Sequence, residues 1–520
     1  MNYLYTFLLC SFSLLTWAQQ PSSQFIDSLV ASAMKNAPHA GVAIAVVKDG
    51  KVLHSKGYGL ASLKSGEKVN ENTLFSIASN SKAFTTTALG ILVDEGKLKW
   101  EDKVVHYLPE FTMYDPYVTA HFTILDLVTH RSGLGLGAGD LMFIPDGSDF
   151  TVDDVIRSFQ YQTPVSEFRT KYDYDNLLYI VAGEVIHRVS GLSWDQFVEQ
   201  RIMRPLGMTR SAGYYENLKD VSNVAMPHSS ERNELVEIQT YRDPNKLFGA
   251  AGGIYASVSD LSQWMLCHLN NGTLRDVHLL SEERHDELWR PYTNISFSAN
   301  PGGRYKSHYD AYGLGWELKD QNGYTIVSHT GGMPGMLSQT LLIPELNAGI
   351  VVLTNAAPGG LSYYSLTHAI KDEFLGMERV DWIALLQTYS SNDESESNAV
   401  VDAIWEKVKK AKMSVEERAN YLGSYLDDWF GEVVIEERNG KLWFTSKRSP
   451  RLSGELFYYQ ANTFVAKWDY REMNCDAFVT FSLDENGKAQ GMSMKGIAPN
   501  IDFSFDFQDL EFQRTKSSDQ

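Results

Sequence analysis

The hydrophobic pattern changes three times along the chain, and the order of these changes limits the folds that it can adopt. Residues 41–59 read GVAIAVVKDGKVLHSKGYG, two β-rich runs that flank the hairpin pair Asp49-Gly50. A long helical region follows, and strand patterns return near residue 325. A hairpin, helices and late strands predict an antiparallel sheet with helices packed against it, which is α+β in class.

Four segments have apolar residues at helical spacing, and three of them end at a glycine or at Asn-Asn-Gly, which are helix stop signals. The predicted helices are Lys82–Glu95, Val152–Tyr161, Leu177–Val189 and Ser259–Leu269. The predicted late strands are Thr325–Ser328, Leu337–Ile343 and Gly349–Leu353.

From about Tyr421 the sequence alternates apolar and polar residues in short segments separated by turns such as Asn439-Gly440. This pattern predicts an antiparallel sheet or small barrel of ~90–100 residues. Before it, the acidic run Ser390–Asn398 predicts a linker, and Val400–Lys412 predicts a short amphipathic helix. The tail is either a covering or oligomerisation module or a direct contributor to an active site.

The N-terminal residues predict an export signal. Residues 1–18 carry no charge, are mostly apolar from Leu4 to Leu15, and end in small residues suited to cleavage after Ala18. We therefore expect a periplasmic or secreted protein, with a buried N-terminal helix as the alternative. The predicted division is a signal peptide at 1–18, an α+β domain at 19–385, a linker and short helix at 386–418, and a β-rich domain at 419–515.

Charge and cysteine content exclude several classes of function. The formal net charge is −19 and no basic cluster is present, which argues against nucleic-acid partners. No stretch beyond the signal is long and apolar enough to predict a membrane span. The remaining cysteines, Cys267 and Cys475, predict no disulfide framework, and no metal-ligand spacing occurs. No helix is predicted directly after the glycine-rich residues 133–139, so we interpret them as a loop beside the active-site pocket. We expect no metal and no cofactor.

Ser79 and Lys82 are three residues apart at the start of a predicted helix, so their side chains can meet on one face. A serine hydroxyl becomes nucleophilic when a nearby base takes its proton, and a desolvated lysine can act as that base. On this pair alone, an N-cap serine and a solvated lysine would be the simpler interpretation. Two further motifs strengthen the catalytic one: Tyr174-Asp175-Asn176 and His329-Thr330-Gly331-Gly332.

In this order, the three motifs resemble those of the penicillin-recognising serine hydrolases (peptidase family S12), which include class C β-lactamases, D-alanyl-D-alanine carboxypeptidases, D-aminopeptidases and related esterases. Residues 127–134 (LVTHRSGL), 250–257 (AAGGIYAS) and 330–335 (TGGMPG) resemble further family segments. The resemblance covers roughly residues 24–374 and implies the β-lactamase/transpeptidase fold. The β-rich tail resembles the lipocalin-like C-terminal domain of some members.

The resemblance implies a role for each matched residue. Ser79 is the acylated nucleophile, and Lys82 is its proton acceptor or electrostatic support. Tyr174 is the general base if Lys82 lowers its pKa, and which of the two residues is the base stays open. The implied substrate-binding residues are Asn176, His329, Thr330, Gly331 and Gly332, whose backbone N–H completes an oxyanion hole with that of Ser79.

His329 departs from the lysine that class C β-lactamases carry at this position. An unperturbed imidazole is mostly neutral at pH 7 and gains charge toward pH 6, so we expect weak β-lactam hydrolysis that improves at lower pH. The favoured substrate is a peptide or amide with a D-residue at the scissile bond. The alternatives are a carboxylesterase, a weak class C-type β-lactamase and a penicillin- or peptide-binding sensor. The sequence leaves homo-oligomerisation open.

Overall fold

The structure is a computed structural model that describes residues 20–36, 40–231, 234–295, 302–356, 360–472 and 474–515. The predicted signal peptide at 1–18 lies outside the described residues. No helix among the described residues has the length and apolarity needed to cross a bilayer. The α-helices are α1 Ser23–Asn36, α2 Ser81–Asp94, α3 Pro116–His121, α4 Ile124–Leu127, α5 Val152–Ser158, α6 Leu177–Ser190, α7 Trp194–Val198, α8 Arg204–Leu206, α9 Gly249–Gly252, α10 Val258–Leu269, α11 Glu282–Leu288, α12 Gly360–Phe374, α13 Trp382–Lys410 and α14 Val415–Arg418.

The first domain is built on one antiparallel sheet whose strands come from both ends of the domain. Its strands, with those of three small two-stranded sheets, are β1 Gly41–Lys48, β2 Lys51–Gly59, β3 Phe75–Ser76, β4 His228–Glu231, β5 Glu234–Glu237, β6 Tyr255–Ala256, β7 Thr273–Leu274, β8 Val277–His278, β9 Thr293–Asn294, β10 Asp310–Tyr312, β11 Glu317–Gln321, β12 Tyr324–Met333, β13 Met336–Ile343 and β14 Ala348–Thr354. The order in the large sheet is β2-β1-β14-β13-β12-β11-β10-β9. The N-terminal hairpin therefore pairs with the last strand of the domain.

Strand β1 shows why helices cover both faces of this sheet. Its sequence is a continuous apolar run, so the side chains on both of its faces need a core. Ala43, Ala45 and Val47 pack in the core that contains α2 and α10. The side chains on the opposite face of the strand pack in the core that contains α1 and α12, and they belong to Val42, Ile44 and Val46.

The predicted α+β class is confirmed, as are the hairpin at Asp49-Gly50, the four helices and the three late strands, with small differences at their ends. Strand β12 differs most, because it continues past Ser328 to Met333. The strand therefore includes Gly331 and Gly332, since β13 pairs with it as far as Met333↔Met336. The turn itself is Pro334-Gly335.

The C-terminal domain is a closed antiparallel barrel, which resolves the choice between a sheet and a barrel. Its strands are β15 Gly423–Asp427, β16 Gly431–Arg438, β17 Lys441–Ser446, β18 Ser453–Gln460, β19 Thr463–Trp468, β20 Ala477–Leu483, β21 Ala489–Gly496 and β22 Glu511–Arg514. Each strand pairs with the next, and β15 closes on β22 through Tyr425↔Arg514. Inward-facing aromatic rings fill the interior, among them Tyr425, Phe444, Phe464 and Phe481.

Helix α13 corrects the predicted linker. Residues 382–410 form one helix, whereas the sequence predicted a linker at Ser390–Asn398 and a helix from Val400 onward. The acidic run contains no glycine or proline that would stop a helix. Ser397 within it is buried, and its hydroxyl donates to Asn500 Oδ1 of the C-terminal domain at 2.5 Å. The polar composition therefore reflects a largely exposed helix and not an irregular backbone.

The barrel is joined to the first domain by ion pairs around residues 146–154. Arg448, between β17 and β18, pairs with Asp149 at 2.7 Å and with Asp154 at 2.9 Å. Arg451 pairs with Asp146 at 2.9 Å. The barrel therefore contacts a segment that begins a few residues after the glycine-rich residues 133–139.

A proline in the acidic run tests the continuity of α13. Proline removes one backbone hydrogen bond and clashes with the preceding turn, which costs about 3 kcal/mol inside a helix. We expect Glu396→Pro to lower the thermal unfolding midpoint by several degrees, as measured by circular dichroism. Glu396→Ala is the matched control and should change it little. Equal midpoints for the two variants would contradict a continuous helix.

Candidate active site

Ser79 lies in a short 3₁₀ turn, Ala78–Asn80, that leads directly into α2. Ala78 has a positive φ of 44°, a conformation that costs a residue with a Cβ roughly 1–3 kcal/mol. The turn is held by Ser338, whose hydroxyl donates to the Ile77 carbonyl at 2.7 Å and accepts from Asn80 Nδ2 at 2.8 Å. Local strain maintained by surrounding hydrogen bonds is common next to catalytic groups.

Lys82 is fully buried, and its amine nitrogen has three oxygen neighbours. Nζ lies 3.1 Å from Ser79 Oγ, 2.6 Å from Asn176 Oδ1 and 2.9 Å from the carbonyl oxygen of Ala251. Loss of hydration on burial disfavours the ammonium form and lowers the pKa of Lys82 to about 7. A substantial fraction of the amine is therefore neutral at pH 7.

The hydrogen bonds around Lys82 fit a neutral amine that faces Ser79. The Ala251 carbonyl can only accept, and Asn176 Oδ1 also accepts, because Asn176 Nδ2 donates to Asp140 Oδ2 at 2.8 Å. These two acceptors take both N–H bonds of a neutral amine. Its lone pair is then left toward Ser79 Oγ, which is the arrangement that removal of the serine proton requires.

Tyr174 lies close to both residues but keeps its proton. Its ring centroid is 4.6 Å from Lys82 Nζ. Loss of hydration raises the pKa of Tyr174 well above its ordinary value, against a lowering effect of its hydrogen bond with Ser79. The condition for Tyr174 as the general base, a pKa lowered by Lys82, is therefore not met. A neutral phenol is a proton donor, which leaves Lys82 as the better base in the resting enzyme.

His329 is buried, and both of its ring nitrogens have protein partners. Nδ1 lies 2.6 Å from the Thr330 carbonyl oxygen, and Nε2 lies 3.0 Å from the Tyr312 hydroxyl. A proton on Nδ1 satisfies both contacts, since the carbonyl accepts and the Tyr312 hydroxyl donates. The pKa of His329 is lowered to about 3, mainly by burial and to a smaller extent by the positive charge on Lys82. The expected gain of charge toward pH 6 is therefore wrong, and His329 stays neutral there.

Thr330, Gly331 and Gly332 lie on β12 beyond Ser328, the last residue that pairs with β11. A Cβ on Gly331 would lie 2.2 Å from the Ile77 carbonyl oxygen and 3.0 Å from the Ser79 nitrogen, so this close approach requires glycine. In an antiparallel pairing, hydrogen-bonded and non-hydrogen-bonded residue pairs alternate along the strands. Counted from a hydrogen-bonded pair at Met333↔Met336, Gly332 belongs to a non-hydrogen-bonded pair. Its N–H therefore points away from β13, toward the open edge of β12. The close approach of Gly331 to the Ser79 nitrogen places this part of β12 beside the turn that carries Ser79.

The sequence missed three residues that contact the matched ones. The His130 ring packs against Tyr174 with ring centroids 4.3 Å apart, and its Nδ1 accepts from the Asp175 N–H at 3.1 Å. Asp140 accepts from Asn176, and Tyr312 donates to His329. His130 belongs to the LVTHRSGL segment and Asp140 follows the glycine-rich loop, so each had a signal without an assigned role. Tyr312 had no signal.

Comparison with known proteins identifies the family. The sequence profile described as Beta-lactamase matches residues 26–373, which is more than half of the chain. The chain belongs to the beta-lactamase family. A second profile, a domain of unknown function (DUF3471), matches residues 407–514, which contain the barrel.

Two relatives are similar to this chain over most of its length. The chain is 27% identical over 443 residues to unguisins hydrolase ungD of Aspergillus violaceofuscus, covering 78% of this chain and 75% of that protein. It is 26% identical to protein flp of Staphylococcus aureus strain COL, covering 64% of this chain and 63% of that one. The family and its hydrolase relatives make this beta-lactamase-family chain a serine hydrolase.

Two solved structures share the fold. The octameric penicillin-binding protein homologue from Pyrococcus abyssi aligns with a TM-score of 0.60 at 20% identity, over 94% of this chain and 98% of that one. EstCE1, a hydrolase with promiscuous acyltransferase activity, aligns with a TM-score of 0.55 at 19% identity, over 67% of this chain and 97% of that one. The first alignment extends over nearly the whole chain, barrel included.

The pKa of Lys82 predicts the pH dependence of catalysis. A base must be unprotonated to act, so kcat/KM should rise about tenfold per pH unit below pH 7 and level off above it. Lys82→Ala should lower kcat by roughly 10²–10⁴. The measurement is a pH–rate profile from pH 5 to 9 with any turned-over substrate. A profile that is flat through pH 7, or that falls with pH there, would contradict Lys82 as the base.

Proposed function

We propose that this enzyme hydrolyses peptide or amide bonds through an acyl-enzyme on Ser79, with Lys82 as the base. The observation that carries the proposal is the Lys82 amine, hydrogen-bonded by Asn176 Oδ1 and the Ala251 carbonyl with its third contact on Ser79 Oγ. Lys82 takes the serine proton while Ser79 Oγ bonds to the substrate carbonyl carbon. The backbone N–H groups of Ser79 and Gly332 stabilise the oxyanion.

The proton then reaches the leaving group through Tyr174. The phenol protonates the leaving nitrogen or oxygen as the carbonyl–leaving group bond breaks, and the Lys82 ammonium returns a proton to the phenolate. The raised pKa of Tyr174 supports this direction of transfer, because its phenolate is a strong base that Lys82 can reprotonate. In the second half-reaction, water loses a proton to Lys82 and attacks the acyl carbon. As the bond from the acyl carbon to Ser79 Oγ breaks, Lys82 passes that proton to Oγ, which releases the acid and restores the serine.

The preferred substrate in this proposal is a peptide or amide with a D-residue at the scissile bond. Class C β-lactamases use a charged lysine where this chain has His329, and both nitrogens of His329 are held by protein groups. In the described part of the chain, Lys82 is the only lysine or arginine that hydrogen-bonds to or stacks on Ser79, Tyr174 or His329. The site therefore offers little charge to a substrate carboxylate, which argues against efficient β-lactam hydrolysis.

A carboxylesterase is the second candidate, because the same neutral surroundings suit an uncharged ester. The similar proteins include both an unguisins hydrolase and a hydrolase with promiscuous acyltransferase activity. Weak class C-type β-lactamase activity is expected only as a side reaction of this site.

Peptides with and without a free carboxylate test whether the site lacks a positive charge that binds this group. Hydrogen bonds to charged groups contribute roughly 1.5–3 kcal/mol against about 1 for neutral ones, a difference of about tenfold in binding. We expect peptides with a free carboxylate and their carboxamides to differ less than about threefold in kcat/KM. We also expect a higher kcat/KM for both peptides than for a chromogenic cephalosporin. The rate of cephalosporin hydrolysis should not increase from pH 7 to 6. Ser79→Ala is the control and should be inactive throughout. A preference above tenfold for the free carboxylate, or a cephalosporin as best substrate, would contradict this assignment.

We also propose export to the periplasm or the medium, on the basis of the uncharged residues 1–18. N-terminal sequencing of the protein recovered outside the cytoplasm should begin at Gln19. A retained Met1 in that fraction would contradict cleavage after Ala18.

A further inference from the structure

The C-terminal barrel reaches the active site through the segment between β21 and β22, which we call the 501–507 loop. Asp506 accepts hydrogen bonds from the N–H groups of Gly139 at 2.7 Å and Leu141 at 3.0 Å. The Ser504 hydroxyl donates to Asp140 Oδ2 at 2.8 Å. Asp140 accepts from Asn176, which in turn contacts Lys82. The 501–507 loop is therefore fixed to the groups that surround the catalytic amine.

Phe503 directly precedes Ser504 in this loop and lies beside Tyr174. The two rings meet edge to face, with centroids 5.9 Å apart and an interplanar angle of 81°. The backbone of Phe503 also approaches Gly137 closely, since a Cβ on Gly137 would lie 2.8 Å from the Phe503 carbonyl oxygen. The Gly137 N–H donates to the Tyr174 carbonyl at 2.8 Å. Phe503 thus lies against both the tyrosine and the loop that positions it.

The exposure of Phe503 separates it from residues that only anchor the loop. Phe505 and Phe507 are 2% and 0% exposed and pack into the core, whereas Phe503 is 41% exposed. A ring that served only to join the domains would be buried in the same way. The half-exposed ring of Phe503, beside the partly exposed Tyr174, can instead contact a substrate that is bound in the site.

The neighbouring surface is apolar as well. Leu136 is 47% exposed on the loop that touches Phe503, and Val165 is 59% exposed next to Gly135 of the same loop. Among the residues that the structure describes, Lys82 is the only lysine or arginine in contact with Ser79, Tyr174 or His329, and it is buried. The chemistry of this rim matches an uncharged, apolar substituent.

We propose that Phe503 forms one wall of a substrate-binding subsite and selects substrates with an apolar group, aliphatic or aromatic, next to the scissile bond. The barrel is then a specificity-determining part of the active site and not only a covering module. This inference rests on the proposed function, because the subsite is defined relative to acylation at Ser79.

The test uses alkyl fluorophosphonates, which form a bond between phosphorus and Ser79 Oγ, release fluoride and pass the serine proton to Lys82. The second-order rate of Ser79 modification is followed by intact-protein mass spectrometry on the full chain, for a methyl and an octyl probe. Phe503→Ala should lower the octyl-to-methyl rate ratio about tenfold. Phe503→Leu keeps an apolar group of smaller area and should lower the ratio less.

The matched control is Leu483→Ala, which removes an equally exposed apolar side chain from strand β20 and should leave the ratio unchanged. If Phe503→Ala does not fold, the ratio for Phe503→Leu decides. A ratio that stays at the wild-type value in the folded variants would overturn the role of Phe503 while leaving Ser79 as nucleophile. Failure of both probes to modify Ser79 in the wild type would overturn the proposed function and this inference together.

Discussion

The burial of one amine dominates the chemistry of this protein. Lys82 lies inside the first domain, and the free energy of removing its charge from water is what lowers its pKa to about 7. The same desolvation requires that each N–H of the amine has a partner, and Asn176 Oδ1 and the Ala251 carbonyl supply them. The site therefore depends on three distant segments meeting around one nitrogen. The neutrality of His329 follows in part from the same amine, because a second cation nearby would be repelled.

Much of the first domain could be predicted from local patterns. The Asp49-Gly50 hairpin and the helix that carries Lys82 have strong local signals, and both lie where the sequence placed them. The long helix α13 could not be predicted as one element, because its acidic run lacks the apolar spacing that usually marks a helix. Likewise, β12 continues through two glycines only because β13 pairs along its length.

The motif residues could be identified from sequence, but their protonation states could not. Residue spacing places Ser79 and Lys82 on one side of a helix, yet the pKa of each group depends on burial contributed by remote segments. The raised pKa of Tyr174 and the lowered pKa of His329 both result from packing that no local pattern encodes. Asp140 illustrates the same limit, since its partners Asn176 and Ser504 are distant in the sequence.

The most direct test of this account is the pKa of Lys82 itself. Lysine labelled with ¹³C at Cε reports the charge on Nζ in an NMR titration, and the Lys82 signal is assigned by its loss in Lys82→Ala. This assignment is necessary because burial also lowers the pKa of Lys371 to about 7. If Lys82 is the base, its titration midpoint is expected near pH 7. A midpoint near the ordinary lysine value of ~10.4 would contradict Lys82 as the base.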